Sequence, residues 1–476
     1  MNPFLSALLI YSTLLIVLGL YLSRRTRSVS DFFVADRKLG RGLLFSTLLT
    51  ANIGAGSTVG AAGLGYSLGM SGWWWVGSAA IGSLILAFTI GPRIYDLARR
   101  HHFLTLGDFL EFRYNRSIRA VIAGLLWGGT LSILAGQLIA LAWILSVVAG
   151  TSKATGCLLG GLIVVTYFSA GGLKGTAWIN VLQLVVKGFG FVLAVPLALA
   201  AVNGWEGLQQ QFLSHSPSRR AFFSIDGIGV SEILGYVVLL APSFIVSPGL
   251  LQKIFGARDR RVVRTGVATQ GAVLLFYSFL PVLLGMCAAA VFPHLENEEL
   301  ALPAVMTQLL PVWLGVVFLA SVFSAEVSSA DAILFMLSTS LTNDLYKTYL
   351  RPGASGVQLL RMSRWVSVLS GGAGVGLAIL LPSVVSALKI FYGLMSVSLF
   401  VPLFLGIYKQ SVSANRCLAA ILISVPVAVA VHLTTGGKGF GILSPVALGI
   451  LLSLLVMISG GRRKERHSVP AFPPEP

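Results

Sequence analysis

Long apolar runs separated by short polar breaks recur along the whole chain, and their length sets the first reading. Thirteen stretches, at about 4–22, 43–66, 73–95, 119–148, 154–170, 177–202, 229–254, 265–292, 310–342, 365–382, 386–408, 415–434 and 440–459, each reach the ~18 residues that can cross ~30 Å of hydrocarbon. Backbone polar groups in lipid must be satisfied within the span, so these runs predict helices. Ten-residue segments of alternating hydrophobicity, the mark of a membrane barrel, are absent. The pattern predicts an all-α polytopic membrane protein of about 13 transmembrane helices. One transmembrane domain is expected over 1–460, followed by a short basic cytoplasmic tail at 461–476 whose Pro-rich end, AFPPEP, is expected to be disordered.

Two runs carry internal breaks. The second reads STLLTANIGAGSTVGAAGLGYS, with Gly54, Gly56 and Gly60 near its middle and Thr50, Asn52, Ser57 and Thr58 around them. The seventh reads GYVVLLAPSFIVSPGLLQKIF, with Pro242, Pro248-Gly249 and the hydroxyls of Ser243 and Ser247. Proline removes a donor and clashes with the preceding turn, which frees carbonyls. Two interrupted spans, five apart, fit an inverted repeat of spans 2–6 and 7–11, a core of about 43–202 and 229–408. In that architecture broken helices hold solute and ion near the midplane.

The ninth run is the most polar. Ala320 to Asp344 reads ASVFSAEVSSADAILFMLSTSLTND and carries Ser324, Glu326, Ser328, Ser329 and Asp331. Ala325, Ser328 and Ser329 fall at i, i+3 and i+4, one helix face. Two hydroxyls and a nearby carbonyl are hard oxygen ligands suited to a small alkali cation. The plainer reading is that serines glue packed membrane helices, and the segment alone leaves both open. Lys187, on the sixth span seven residues after Asn180, lies on the same face and about 10 Å further along the axis. A pair with Asp331 or Glu326 would offset the cost of burying each charge. Lys389 lies near an outer span end and is expected to snorkel. Trp73-Trp74-Trp75 reads as an interfacial belt.

Composition narrows the classes. Apolar residues make up 55% and charged residues 11% of the 476, against about 25% charged in a soluble domain. The net charge of +17 would suit nucleic acid, but its distribution does not. Of 34 Lys and Arg, four fall in loops assigned outside (Lys153, Arg219, Arg220, Lys438) and two inside spans (Lys187, Lys389); the other 28 flank the opposite ends. That asymmetry predicts a multi-pass plasma-membrane (cell inner membrane) protein with its N-terminus outside and C-terminus cytoplasmic. The first span is expected to be retained, since no positive charge precedes it and Arg24-Arg25-Thr26-Arg27 follows. Three cysteines in apolar spans give no disulfide framework, and the six histidines show no metal spacing. An embedded enzyme would need an acid–base pair or metal cluster in one cavity, for which only Glu326 and Asp331 are candidates.

Taken together, DFFVADRKLG (31–40), TANIGAGSTVGAAGLGYSLG (50–69), YFSAGGLKGTAWINVLQ (167–183), SPGLLQKIFGARD (247–259) and the ninth span ending in TNDLYK (342–347) resemble the sodium:solute symporter family. That family has the LeuT-type fold with an extra N-terminal helix and a 5+5 inverted repeat. The resemblance implies a transporter rather than an enzyme: a sodium-coupled secondary active symporter that imports a small polar solute by alternating access. The solute would be of amino-acid, sugar or monocarboxylate type. It implies a sodium site from the backbone carbonyls of Thr50 and Ile53, the carbonyl of Ala325 and the hydroxyls of Ser328 and Ser329. It places the solute near Asn52, Ser57, Thr58, Gln137, Ser243, Ser247, Phe391 and Tyr392. Members often carry an aspartate where this chain has Asn180, while Asp331 stands where some relatives place a hydroxyl of a second sodium site. Asn180, Lys187, Glu326 and Asp331 therefore mark either a second ion site or a charge pair, and one coupling ion is expected. Two alternatives remain: a proton-coupled transporter with Lys187 in place of sodium, and a transporter-like channel or sensor. No arginine lies deep in spans 2, 4, 7 or 11 to clamp a carboxylate, though a half-helix N-terminus could meet one. The Ser247-Pro248-Gly249 break leans toward the proline-type branch. Partners beyond solute, sodium and lipid are not implied, and a monomer suffices.

Overall fold

The computed structural model describes residues 3–23, 37–168, 173–409 and 412–459. Helix α1 (Pro3–Ser23) is followed by a broken pair, α2 (Arg41–Asn52) and α3 (Val59–Leu68), and then by α4 (Trp73–Phe88), α5 (Ile90–Arg100) and α6 (Leu106–Arg113). Next come α7 (Arg116–Ala149), α8 (Lys153–Phe168), α9 (Leu173–Ala201) and α10 (Gly204–His215). A second broken pair, α11 (Val230–Val246) and α12 (Pro248–Phe255), leads to α13 (Arg260–Tyr277), α14 (Phe279–Val291) and the short α15 (Ala301–Ala304). Helices α16 (Val312–Thr339), α17 (Gly356–Leu380), α18 (Val384–Tyr408), α19 (Ala414–Thr434) and α20 (Pro445–Ile458) complete the bundle.

Among the described residues, nine apolar helical stretches are long enough to cross a membrane, and three more are shorter. The expected thirteen is therefore not reproduced as a count. One reason is the break itself: α2 stops after 12 residues, while α3 and α4 run on as one apolar stretch, Ala55–Phe88. Of the two expected proline breaks in the seventh run, only one forms. Pro242 sits inside α11, whereas Pro248 opens α12 at its first turn, where its missing N–H costs nothing.

Local chemistry fixes the ends that matter. The 34-residue α7 starts at Asn115, whose side chain accepts from the Ile118 N–H, and stops at Gly150 in a left-handed conformation, φ 66°. The buried Arg113 guanidinium donates to the carbonyls of Gly406 (3.0 Å) and Lys409 (2.8 Å), which supplies donors to the end of α18. Helix α16 lies at the centre of the bundle, against α2, α7, α9 and α17. Beyond Thr339 its winding widens into a π turn, Ser340–Leu350.

Polar ties close the two ends of the bundle. At the end holding the 340–350 turn, Arg119 meets Asp108 (2.8 Å), Glu111 (2.8 Å) and Asp344 (2.7 Å), and Thr105 Oγ1 donates to Asp344 Oδ1 (2.6 Å). At the opposite end Glu299 is buried. It accepts from the Val384 N–H (2.7 Å) at the start of α18 and from Trp143 Nε1 (3.0 Å) on α7.

Arg119→Met would remove the cation shared by three carboxylates and leave buried Asp344 without an ion-pair partner, and should destabilise the purified protein by about 3–5 kcal/mol, read as a lower melting temperature. Burial pushes the Glu299 carboxyl up to about 7 from 4.5. The folded state therefore binds the proton more tightly than the unfolded chain. Stability should fall as pH rises from about 4.5 to about 7 and level off above. In a pH series of melting curves, Glu299→Gln should lose that component.

Candidate functional site

The site begins where α2 ends. Ile53 leaves the helix (φ −94°, ψ 90°) and Gly54 is extended, so the last carbonyls of α2 have no acceptor role within the helix. Ser57 re-forms the chain by donating to Asn52 O (2.9 Å) and Gly54 O (3.1 Å) and by accepting from the Gly54 N–H (3.0 Å). Gln137 on α7 accepts from the Ala55 N–H (2.8 Å), and Trp75 Nε1 donates to Gly56 O (2.9 Å). The unwound segment is thus pinned from two neighbouring helices.

Its freed carbonyls face α16. Ser329 Oγ donates to Ile53 O (3.1 Å) and Ala51 O (3.2 Å), and Ser328 Oγ reaches Ala325 O (3.0 Å) and Thr50 O (3.3 Å). All five residues expected to form the sodium site, Thr50, Ile53, Ala325, Ser328 and Ser329, are brought to one place. The Lys187 amino group already sits there. Lys187 Nζ donates to Thr50 O (2.9 Å), Ile53 O (3.0 Å) and Ser328 Oγ (2.6 Å). An ammonium has three N–H donors, and three oxygens receive them. The donor set suits an alkali ion in kind, but an ion and this ammonium cannot share one seat.

Of the two alternatives for Lys187, a direct ion pair with Asp331 or Glu326 does not form: among the described residues no carboxylate lies within 4.0 Å of its Nζ, and Glu326 acts on it only at longer range. Glu326 instead accepts from Thr58 Oγ1. Asp331 feels Lys253 on α12, not Lys187. The side chain of Asn180 lies outside the described residues.

Beside the seat is a cavity of about 80 Å³. Of the expected solute residues, Asn52, Ser57, Gln137, Ser247, Phe391 and Tyr392 line it. Two do not. Thr58 turns to Glu326 and Gly54 O, and Ser243 returns its hydroxyl to Leu240 O (2.9 Å) within its own helix. Trp75 and Lys253 are among the lining residues that escaped the sequence reading. Trp75 is buried and packs edge-on to Tyr392 (6.1 Å between centroids), so that tryptophan is cavity wall and not part of an interfacial belt. Lys253, counted from sequence with the cytoplasmic flank, is buried in α12 and lines the cavity. Its place inside the apolar run 229–254 was the available signal. A second cavity, lined by Thr105, Arg119, Gln252 and Asp344 among others, adjoins the first across Met336, which lines both.

A family model for the sodium:solute symporter family matches residues 32–424. The chain belongs to that family. It is 27% identical to the sodium/pantothenate symporter of Escherichia coli (strain K12) over 91% of the chain and 90% of the relative. It is 24% identical to the sodium/glucose cotransporter of Vibrio parahaemolyticus (88% and 83% covered) and 24% identical to the high-affinity choline transporter 1 of Drosophila melanogaster (95% and 77% covered). Its fold matches a substrate-bound, outward-open Na+-coupled sialic acid symporter at TM-score 0.80, with 18% identity over 96% of this chain and 97% of the other. The relatives are transporters, not enzymes.

A Cβ on Gly54 would stand 2.2 Å from Ser329 Oγ and 2.7 Å from Gln137 Oε1. Gly54→Ala should therefore wedge α2 from α16 and lower the melting temperature, at an overpacking cost of about 1–3 kcal/mol. Gly128→Ala, which meets nothing within 4 Å, is the matched control and should leave it unchanged.

Proposed function

We propose that this chain is a secondary active importer of a small polar organic solute. The solute would bind in the cavity beside the unwound segment and cross by alternating access. The Lys187 ammonium would serve as a built-in cation where the family resemblance places sodium. Family membership and the LeuT-type fold support the first part. The single observation that carries the second is the triple hydrogen bond of Lys187 Nζ to Thr50 O, Ile53 O and Ser328 Oγ. A proton gradient is then the driving force that needs no further seat. In this reading residues 43–202 and 229–408 form the inverted repeat, and the N-terminus lies outside with the C-terminus cytoplasmic. The Glu299 tie closes the outer end and the Arg119–Asp344 tie the cytoplasmic end. The second cavity, beyond Met336, is the way toward the cytoplasm.

Sodium coupling is the second reading. The donor set on α2 and α16 and the sodium-coupled relatives favour it. It requires the Lys187 side chain to withdraw before an ion enters. The relatives' names span pantothenate, glucose, myo-inositol and choline, so they leave the solute class open.

Melting curves separate the two readings without knowledge of the solute. The wild type should melt at the same temperature in sodium and potassium chloride. Lys187→Ala should open the seat and gain a saturable sodium stabilisation, about 2.7 kcal/mol at a hundred times the dissociation constant. A saturable sodium response in the wild type would refute the built-in cation and favour the second reading.

A further inference from the structure

The chemistry of the cavity lining points to an anionic solute. Of its described lining residues, one side chain is charged, and it is a cation, Lys253. Neither intramembrane carboxylate is part of the wall: Glu326 faces Thr58, and Asp331 is not among the lining residues. Lys253 is 5% exposed, so its charge is held away from bulk water. No carboxylate comes within ion-pair distance of it, and it makes no hydrogen bond among the described residues; Asp331 acts on it only at longer range. A buried ammonium in that position favours an ionised partner delivered from the cavity.

The same helix adds further donors. Ser247-Pro248 ends α11 and starts α12, so the first-turn N–H groups of Gly249 and Leu250 point along the start of α12 with no backbone acceptor among the described residues. Gly249, Leu250 and Lys253 all line the cavity, and Lys253 follows Gly249 by four positions, on one face of the helix. Asn52 Nδ2, on the same cavity lining, is buried without a hydrogen-bond partner among the described residues. The rest of the wall is mostly apolar and includes Trp75, Phe244, Phe391 and Tyr392, grouped through Tyr392. The cavity wall thus supplies a cation, N–H donors and flat apolar faces.

We propose that the solute is a small organic carboxylate, held by the Lys253 ammonium and the start of α12, with its body against the Trp75–Tyr392 wall. This rests on the reading of the cavity as the solute site. Lys253 touches the solute directly, and its attraction to Asp331 is the background that the solute anion supplements.

The test uses the purified full-length chain and matched pairs: pantothenate against panthenol, benzoate against benzamide, lactate against propane-1,2-diol, with glucose and choline as neutral and cationic probes. At least one carboxylate should raise the melting temperature saturably while its neutral twin does not. Lys253→Met should weaken that carboxylate about ten- to a hundred-fold, and Lys253→Arg should weaken it less. The double variant Lys253→Met with Asp331→Asn should bind no better than Lys253→Met alone. Recovery of binding in the double variant would mean that Lys253 merely balances Asp331, and would overturn the proposal. So would a panel in which no carboxylate stabilises, or in which neutral twins, glucose or choline bind as well. The wild-type comparison needs no variant, so a misfolded Lys253→Met leaves the proposal exposed to refutation. Uptake of a neutral probe into proteoliposomes would sink the carboxylate assignment and leave the transporter reading intact. Uptake of none, with binding intact, would do the reverse.

Discussion

Everything in this molecule turns on six residues of main chain, Ile53 to Thr58, that leave the α-helix inside a helical bundle. Carbonyls freed by unwinding cannot face hydrocarbon. They must meet donors or a cation, and both are supplied from other helices: hydroxyls from α16 and an ammonium from α9. The arrangement is reciprocal. Lys187 could not be buried without three oxygens to receive it, and those oxygens could not be left exposed without a donor. Unwinding at Gly54 also creates the close approach that only a residue without a Cβ permits.

The charges in the core are offset from one another. Lys187 lies in range of Glu326, and Lys253 in range of Asp331, yet neither couple closes to a salt bridge. Each ammonium is instead available for another task, one in the oxygen seat and one at the cavity wall. A tight pair would be static; charges held apart can respond when an ion, proton or solute arrives. Glu326 Oε2 and Asp331 Oδ1 accept no hydrogen bond among the described residues, which leaves acceptor capacity beside the seat and the cavity.

The ends of the bundle are held by few contacts of high quality. Arg119 gathers three carboxylates where α6, α7 and the 340–350 turn meet, and Gly107 lets Asp344 approach, since a Cβ there would lie 2.5 Å from its Oδ1. Glu299 joins a loop to the first turn of α18 and to α7. Small polar clusters of this kind can break as units, whereas the packed centre around α16 cannot deform gradually. That division between fixed core and breakable ends suits the alternating access proposed for this chain.

Much of this was legible in the chain. Apolar runs gave the class and most helices. Glycines 54 and 56 and the Pro248-Gly249 pair gave both real breaks, and the i, i+3, i+4 spacing of Ala325, Ser328 and Ser329 gave the face that meets the first of them. These are local properties: run length, backbone freedom and helical periodicity are written in consecutive residues. The partners of the charged groups were not legible. Lys187 was matched to carboxylates because opposite charges attract, but the fold gave it freed carbonyls. Asp331 drew Lys253 instead, and Trp75 turned inward. Pro242 lies within α11 without interrupting it. Which of several compatible oxygens or charges a side chain meets depends on how helices 130 or more residues apart are rotated and stacked, and no window of sequence contains that information. The chain determined that a polar seat must exist within its membrane domain; only the tertiary structure decided that a lysine fills it.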